Sequence, residues 1–372
     1  MGGIQVEPVT TRQDLRRFIE LPYQIYGRDP HWVPPLRIQQ RELFDTKKHP
    51  FYKHAKIQHF LATDGARAVG RISAIIDPGA TESDTGYFGF FESPDSEAVS
   101  GPLFDRALGW LREQGIKRTL GPVSPSMNYE CGLLVEGFES SPYVMMTYNP
   151  PYYADLLEKA GFRKAKDLWA YGGPVAKVDG RKARRVAERS KATRRLHIRR
   201  INMKQFDSEV ETIWKLYNSA WSRNWGFAPM PLDEFQFMAK DMKQVVDPGF
   251  ALLGDVDGAP VGFALALPDI NFALKRAGGN LFPLGLLKIL YYQRKIRGVR
   301  VLALGVVEEH RTAGAAAAFY SALIEHAQQN GYQHCEFSWV LEDNILMNRS
   351  IEALGVQRYK TYRIYERTQH YA

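Results

Sequence analysis

From His197 to the C-terminus the apolar positions change period in an order that can be read directly. His197–Met203 reads as a strand, and apolar residues then recur at helical spacing through Val210, Ile213, Trp214 and Tyr217, predicting an amphipathic helix over Ser208–Trp221. A shorter helix follows near Leu232–Val245. Phe250–Asp255 and Pro260–Leu267 flank Asp255-Val256-Asp257-Gly258 and read as a hairpin. Next come a continuous apolar run, Val299–Val307, and a helix over Ala313–Asn330 closed by Gly331. A second apolar strand, His334–Val340, a helix over Asn344–Leu354 ending at Gly355, and a tyrosine-rich strand, Tyr359–Tyr365, complete the series. Strand, two helices, hairpin, strand, helix, strand, helix, strand is the pattern of a mixed sheet covered by helices, an α/β fold.

The same pattern is written twice. Tyr26, Arg28, Trp32 and Pro34 correspond to Trp221, Arg223, Phe227 and Pro229 at a shift of 195, and Ala68-Val69-Gly70 with Asp77 to Pro260-Val261-Gly262 with Asp269 at 192. Phe88–Glu92 answers Leu304–Glu308, and Gly115 answers Gly331, at 216; Phe104, Ala107 and Leu108 match Phe319, Ala322 and Leu323 at 215; Gly161 and Tyr171 answer Gly355 and Tyr365 at 194. The changing shift implies an insertion in the second half, at 270–300, and a longer connection in the first, around Ser124–Tyr148. The expected organisation is a first domain over 1–175, a basic linker over 176–195, and a second domain over 196–372.

The sharpest chemical feature is Val306-Val307-Glu308-Glu309-His310-Arg311-Thr312-Ala313-Gly314-Ala315-Ala316, a strand running into an alanine-rich helix. Unsatisfied N–H groups and the positive end of the dipole favour a phosphate at a helix start, and small residues let the phosphate approach the backbone. Tight packing of a helix start is the other reading of the same small residues. In its strand-to-helix setting the segment resembles the acyl-CoA loop of the GNAT acyltransferases, [Arg/Gln]-x-x-Gly-x-[Gly/Ala], with Arg311, Gly314 and Ala316 at the motif positions. The resemblance extends to the element order of the whole second half. It implies two tandem GNAT-like domains, acyl-CoA as co-substrate without a metal, an amine acceptor, and cofactor contacts from Val306, Val307, Arg311, Thr312, Ala313, Gly314, Ala315, Ala316 and Asn344.

The matching place in the first half, Phe91–Pro102, has no arginine, offers Asp95 and Glu97, and loses one N–H at Pro102, so this half is expected to be a degenerate partner that does not hold the cofactor.

Acyl transfer to an amine needs a base, an oxyanion donor and an acid for the departing thiolate. In the superfamily the oxyanion donor is a backbone N–H of the central strand, which points to Val306 and Val307; Glu308 and Glu309 are candidate bases, although Glu308 has a counterpart, Glu92, in the degenerate half. Asn344 fits the family's asparagine, but Ile351 stands seven residues on, where the family often has its acidic tyrosine; Tyr359 is the candidate replacement, with sheet packing the alternative. The resemblance places acceptor contacts in the loop that here contains Trp221, Arg223, Asn224 and Trp225.

The insertion carries Lys275, Arg276, Lys288, Arg294, Lys295, Arg297 and Arg300 and no acid between Phe272 and Arg300. Its apolar core, Leu281–Tyr292, is too short to span a bilayer but suits an interfacial helix or a lid over a greasy pocket; packing against the other domain is the alternative. The chain also resembles large bacterial GNAT-like proteins through Tyr148-Asn149-Pro150-Pro151-Tyr152-Tyr153 and Met347-Asn348-Arg349-Ser350-Ile351-Glu352, some of which are linked to N-acylation of long-chain bases in ceramide synthesis. That resemblance implies a sphingoid-like lipid amine as acceptor, and the insertion itself suits peripheral membrane contact through 272–300. Small-molecule or protein acetylation is the alternative.

Composition narrows the classes further. An apolar fraction of 45% over 372 residues supports two cores, and the N-terminus lacks a basic-then-apolar leader, so the expected location is cytoplasmic, peripheral at the inner membrane if the acceptor is a lipid. Cys131 and Cys335 fall in different halves and are expected to be buried and inert. The net charge of +8 is local: Arg181–Arg200 holds ten cations against the single acid Glu188. A nucleic-acid-binding protein or an aminoacyl-tRNA-dependent transferase would use that segment. The pyrophosphate-compatible loop argues for acyl-CoA, and nucleic acid is not expected as a partner.

Overall fold

The computed structural model describes residues 3–368 except 81, 83, 195 and 312. The chain forms two compact units. One comprises Met1–Leu168, Leu274–Ile289 and Lys360–Ala372; the other comprises Trp169–Ala273 and Leu290–Tyr359.

In chain order the first half contains β1 (Gln5–Pro8), α1 (Arg12–Ile25), α2 (Arg37–Leu43), β2 (Lys56–Asp64), β3 (Arg67–Ile76), β4 (Thr85–Glu92), α3 (Glu97–Glu113), β5 (Arg118–Gly121), β6 (Val123–Ser124), β7 (Glu130–Cys131), β8 (Leu133–Glu136), α4 (Tyr153–Lys159) and β9 (Arg163–Pro174). The second contains α5 (Arg181–Arg194), β10 (Leu196–Arg200), α6 (Phe206–Trp221), α7 (Leu232–Lys243), β11 (Ala251–Val256), β12 (Ala259–Pro268), α8 (Asn271–Ala277), α9 (Gly285–Gln293), β13 (Gly298–Val306), α10 (Ala313–Gln329), β14 (His334–Leu341), α11 (Ile345–Glu352) and β15 (Gln357–Thr368). Every element read from periodicity after His197 is present, with ends displaced by a few residues. Two pairs of glycines matched by the repeat serve one purpose in both halves: Gly115 and Gly331, like Gly161 and Gly355, have positive φ and turn the chain at a helix end.

In the first unit the sheet runs β1-β2-β3-β4-β5, with β4 and β5 parallel over Thr85–Tyr87 and Arg118–Leu120. It is completed by the C-terminal part of β15, which pairs antiparallel with β5 from Tyr365↔Gly121 to Thr368↔Arg118 and with β8 at Tyr362↔Leu134. In the second unit the order is β9-β14-β13-β12-β11-β10, with residues from Trp169 of β9 supplying the outer strand beside β14. The units therefore depart from the boundaries 1–175 and 196–372 expected from the sequence. The last strand of each half is built into the other half's sheet.

The second unit is a sheet between two helical layers. Val210 and Leu216 of α6 pack with Leu253, Phe263 and Ala303 on one face; Ala315, Phe319 and Leu323 of α10 pack with Leu252, Ala264 and Val306 on the other. The segment expected as a linker belongs to this second layer. Within α5, Ala183 and Ala187, four apart on one face, are buried in the core that α10 builds, and Arg184, Arg185 and Arg189 remain exposed.

Candidate active site

β13 and β14 are parallel and paired only from Gly298↔His334 to Val301↔Phe337. Beyond that point the strands continue, to Val306 and to Leu341, without pairing with each other, so the sheet opens into a cleft whose arms are Leu302–Val306 and Ser338–Leu341. On its other side β13 stays hydrogen-bonded to β12 as far as Gly262↔Val306, with a register shift opposite Leu265/Ala266 that bulges β13 at Leu302. Splaying frees the backbone groups of β13 on the cleft side. It is where a central-strand N–H becomes available to a ligand.

The arm of β13 leads through a 3-10 turn, Glu308–His310, into α10. Gly314 and Ala315 are buried at the start of α10, whose first turn holds no acidic residue. Thr312 lies outside the described residues, as does the side chain of Ala313. Gly305 lies where the sheet meets α6: a Cβ there would stand 2.9 Å from the Phe263 ring and 3.2 Å from Ala220, so the close approach requires glycine. Arg311 turns back from the loop, its Nε donating to the Val306 carbonyl at 3.1 Å and a terminal nitrogen to the carbonyl of Ala220. The guanidinium thus ties the end of β13 to the last turn of α6.

Several of the residues singled out in the sequence converge at this end of the cleft. Arg223 donates to Glu308 at 2.7 Å, an exposed pair that contributes at most about 1 kcal/mol to stability. Glu309 is exposed next to it. Trp221 packs edge-on to Tyr217 and Phe263 at 4.6 and 5.5 Å, and Trp225 and Asn224 are half-buried in the turn that follows, where the Asn224 N–H donates to the Trp221 carbonyl. Asn344 stands past the end of the other arm as the N-cap of α11, its side-chain oxygen accepting from the Met347 N–H at 3.2 Å. Tyr359 is elsewhere again, donating to Glu336 at the base of the cleft.

Sequence reasoning missed the group that Tyr359 joins. Arg300 and Glu336 face each other across the last paired stretch of β13 and β14, with side-chain exposures of 2% and 0%. The Arg300 Nε lies 3.7 Å from a Glu336 oxygen and donates to Ser338 Oγ at 2.7 Å; Ser338 Oγ in turn donates to Glu336 at 2.5 Å. A buried ion pair persists only when its remaining polar atoms are also satisfied, which Ser338 and Tyr359 accomplish. A single Lys or Arg in β13 and a single Asp or Glu in β14, both strands being mostly apolar, is the available signal. In the sequence Arg300 reads as the last cation of the insertion. Asn348 was also missed: buried, it donates to the carbonyls of Leu341 and Glu342 and accepts from Tyr171, anchoring α11 to the end of β14.

The corresponding opening in the first unit is filled by its own chain. β4 and β5 part after Tyr87, but the β6–β7 hairpin enters the space: the Phe90 N–H donates to Ser124 Oγ at 3.1 Å, and a Cβ on Gly89 would lie 1.5 Å from the Val123 carbonyl. The loop before α3 is occupied too, with the Tyr153 hydroxyl accepting from the Ser93 N–H and Tyr152 donating to the Ser93 carbonyl. Glu92, at the end of β4, accepts from Tyr26 at 2.6 Å and Tyr153 at 2.8 Å beside Arg71 at 3.4 Å. Burial pushes its carboxyl up, against the opposing pull of Arg71 and the two phenols. Acidic Glu97 stands in the first turn of α3, where α10 has none. The longer connection found in the sequence is the material that closes this site.

Among the described residues no group of three or more His, Cys, Asp or Glu is placed to hold a metal ion. No described helix is long and apolar enough to cross a membrane.

A mixed sheet splayed beside its central strand, with a small-residue helix start at the end of that strand, defines an acyl-CoA-dependent transferase. Comparison with known proteins agrees. The Acetyltransferase (GNAT) family matches residues 210–355. The bacterial ceramide synthase of Caulobacter vibrioides is 38% identical over 98% of both chains, and protein YghO of Escherichia coli is 35% identical over 97% of this chain and 95% of its own. A tandem GNAT protein from the clavulanic acid biosynthesis pathway shares the fold with a TM-score of 0.60 at 12% identity, covering 99% of each chain. The chain belongs to the GNAT acyltransferases, as a tandem member.

Proposed function

We propose that the second unit carries an acyl group from acyl-CoA to the amine of a long-chain, sphingoid-like lipid. The observation that carries this reading is the contrast between the two cleft positions: the one between β13 and β14 ends at a helix start without acids, and its twin is filled by Val123 and Ser124. The family uses acyl-CoA, and the described residues suit its diphosphate: the N–H groups of Ala313–Ala316 would receive it, with Arg311 holding the loop against Val306 and Ala220. The backbone N–H of Val306 or Val307 would stabilise the oxyanion, and Glu308 or Glu309 would take the ammonium proton before the nitrogen attacks. Tyr359, oriented by Glu336, would return a proton to the thiolate as the C–S bond breaks. Asn344 would contact the cofactor beyond the β14 arm.

The lipid acceptor is supported by the ceramide synthase relative, which aligns from end to end, and by the aromatic wall of Trp221 and Trp225 beside Arg223 and Asn224. Such a wall suits an amphipathic amine, which would be met at a membrane boundary on the cytoplasmic side. The test is a thermal-shift comparison of acetyl-CoA with palmitoyl-CoA, followed by release of free CoA thiol with sphinganine as acceptor. Stronger stabilisation by the long chain and sphinganine-dependent thiol release are expected. Stabilisation by acetyl-CoA alone, with no release on adding sphinganine, would place the protein among small-molecule or protein acetyltransferases.

A further inference from the structure

The helix α9 and the turn before it are built inside out on one side. Its inner face is anchored, with Gly285 buried and Ile289 and Tyr292 half-buried, and Ile296, just past its end, is buried too. Gly285 permits that seat, because a Cβ there would lie 1.6 Å from the Asn280 carbonyl oxygen. The outer side presents Phe282, Leu284, Leu286, Leu287, Leu290 and Tyr291, with Phe282 76% and Leu287 62% exposed. Of the ten large hydrophobics exposed among the described residues, seven lie between Phe272 and Tyr291. An apolar patch this concentrated marks an interaction surface.

The segment that carries it is of one charge. Lys288, Arg294, Lys295 and Arg297 are exposed within ten residues, and the whole stretch Phe272–Arg300 contains no acid. Arg300 and Lys275 are not part of this fringe: the first is buried against Glu336 and Ser338, and the second is bonded to Pro30 and Ser141. Lys295 lies along the Tyr291 ring at 4.2 Å and donates to its hydroxyl, an arrangement that keeps an apolar ring and a cation at one level. An apolar stripe bordered by cations matches the boundary between acyl chains and anionic headgroups. A protein partner for the same stripe would be selected by complementary carboxylates, whereas a bilayer accepts bare leucine and phenylalanine at any register.

We propose that α9 with the turn from Phe282 is an interfacial anchor that seats the protein on an anionic lipid bilayer. The proposal goes beyond the acyl-transfer reading and does not depend on which amine is acylated, because binding is measured without substrate.

The full-length protein is sedimented with vesicles of phosphatidylcholine alone and of phosphatidylcholine mixed with phosphatidylglycerol. It is expected to pellet with the mixed vesicles and to be released by salt. Leu287→Ser with Leu290→Ser, which removes apolar surface from the stripe, and separately Lys288→Glu with Arg294→Glu, which reverses two of its cations, are each expected to weaken that binding roughly tenfold or more. All four positions are exposed, so both variants keep the fold; their circular dichroism and melting checks this. Wild-type protein left in the supernatant with both vesicle types overturns the proposal, as does unchanged binding by both variants. A dimer seen by light scattering and broken by the serine substitutions also overturns it, assigning the stripe to a second copy of the chain.

Discussion

Replacing Gly314 with glutamate places a carboxylate at the buried start of α10, where the diphosphate is proposed to sit. Two like charges about 4 Å apart repel by about 1 kcal/mol in water and about 4 kcal/mol at the effective dielectric of a partly enclosed protein site. Gly314 and Ala315 are buried and Arg311 next to them is exposed, so an intermediate value of about 2–3 kcal/mol applies, or roughly 30- to 150-fold in affinity. Bulk contributes separately. Gly314→Gln has nearly the same side-chain volume without the charge, and the ratio of the two variants isolates electrostatics. Dissociation constants for CoA would be measured by calorimetry on all three proteins. In a melting assay with CoA at about one hundred times the wild-type constant, the wild type gains about 2.7 kcal/mol and the glutamate variant little of it. Both variants share any loss of fold from filling a buried position. Equal CoA affinity in folded Glu and Gln variants, matching the wild type, would refute the placement of the diphosphate at this helix start.

Two further predictions concern stability. Arg300→Met leaves Glu336 without its cation in a fully enclosed place and is expected to cost about 3–5 kcal/mol in urea unfolding, whereas Arg300→Met with Glu336→Leu recovers most of the loss; a single variant within 1 kcal/mol of wild type would contradict the paired burial. His59, ringed by Phe18, Phe44 and Phe90, has its imidazole pKa lowered from 6.5 to about 3 by burial, helped by the charge of Arg71. The unfolded chain therefore takes up a proton that the folded one refuses, and stability falls as pH drops below about 6.5, by at most about 1.4 kcal/mol per unit from this residue. His59→Gln should flatten the slope of unfolding free energy between pH 6 and pH 4, and an unchanged slope would remove His59 from the account.

The second half was legible because each of its elements signals locally: the stripe of α6, the Asp257-Gly258 turn, and the glycines that end α10 and α11. What stayed hidden was non-local or small. Tyr171 and Tyr365 revealed equivalent strands in the two halves, but nothing near either residue states which sheet it joins. The helix α5 passed for a linker because its buried face is only Ala183 and Ala187 among arginines. In the candidate site, the strand-to-helix loop is marked in the sequence by its small residues, and the Glu308–Arg223 contact joins two separate candidate lists. Arg300 and Glu336 escaped because a lone charge in an apolar strand has no marked partner until the parallel pairing of β13 with β14 sets them opposite each other. The closing of the first site was half seen: its acids were read, but the Val123–Ser124 plug depends on a hairpin that the sequence announced only as extra length.

The crossed terminal strands carry a consequence for how such a gene can change. A lineage that discarded the half with the filled cleft would also discard Trp169–Pro174, leaving a bare flank along β14 in the second half, and a chain stopped before Lys360 would strip the neighbour of β5. Each copy is hostage to the other for its last row of backbone bonds, so neither can be deleted without baring an edge of the one that stays. Severing the polypeptide near Asp179 should yield fragments that are soluble when produced together and prone to aggregate when produced apart.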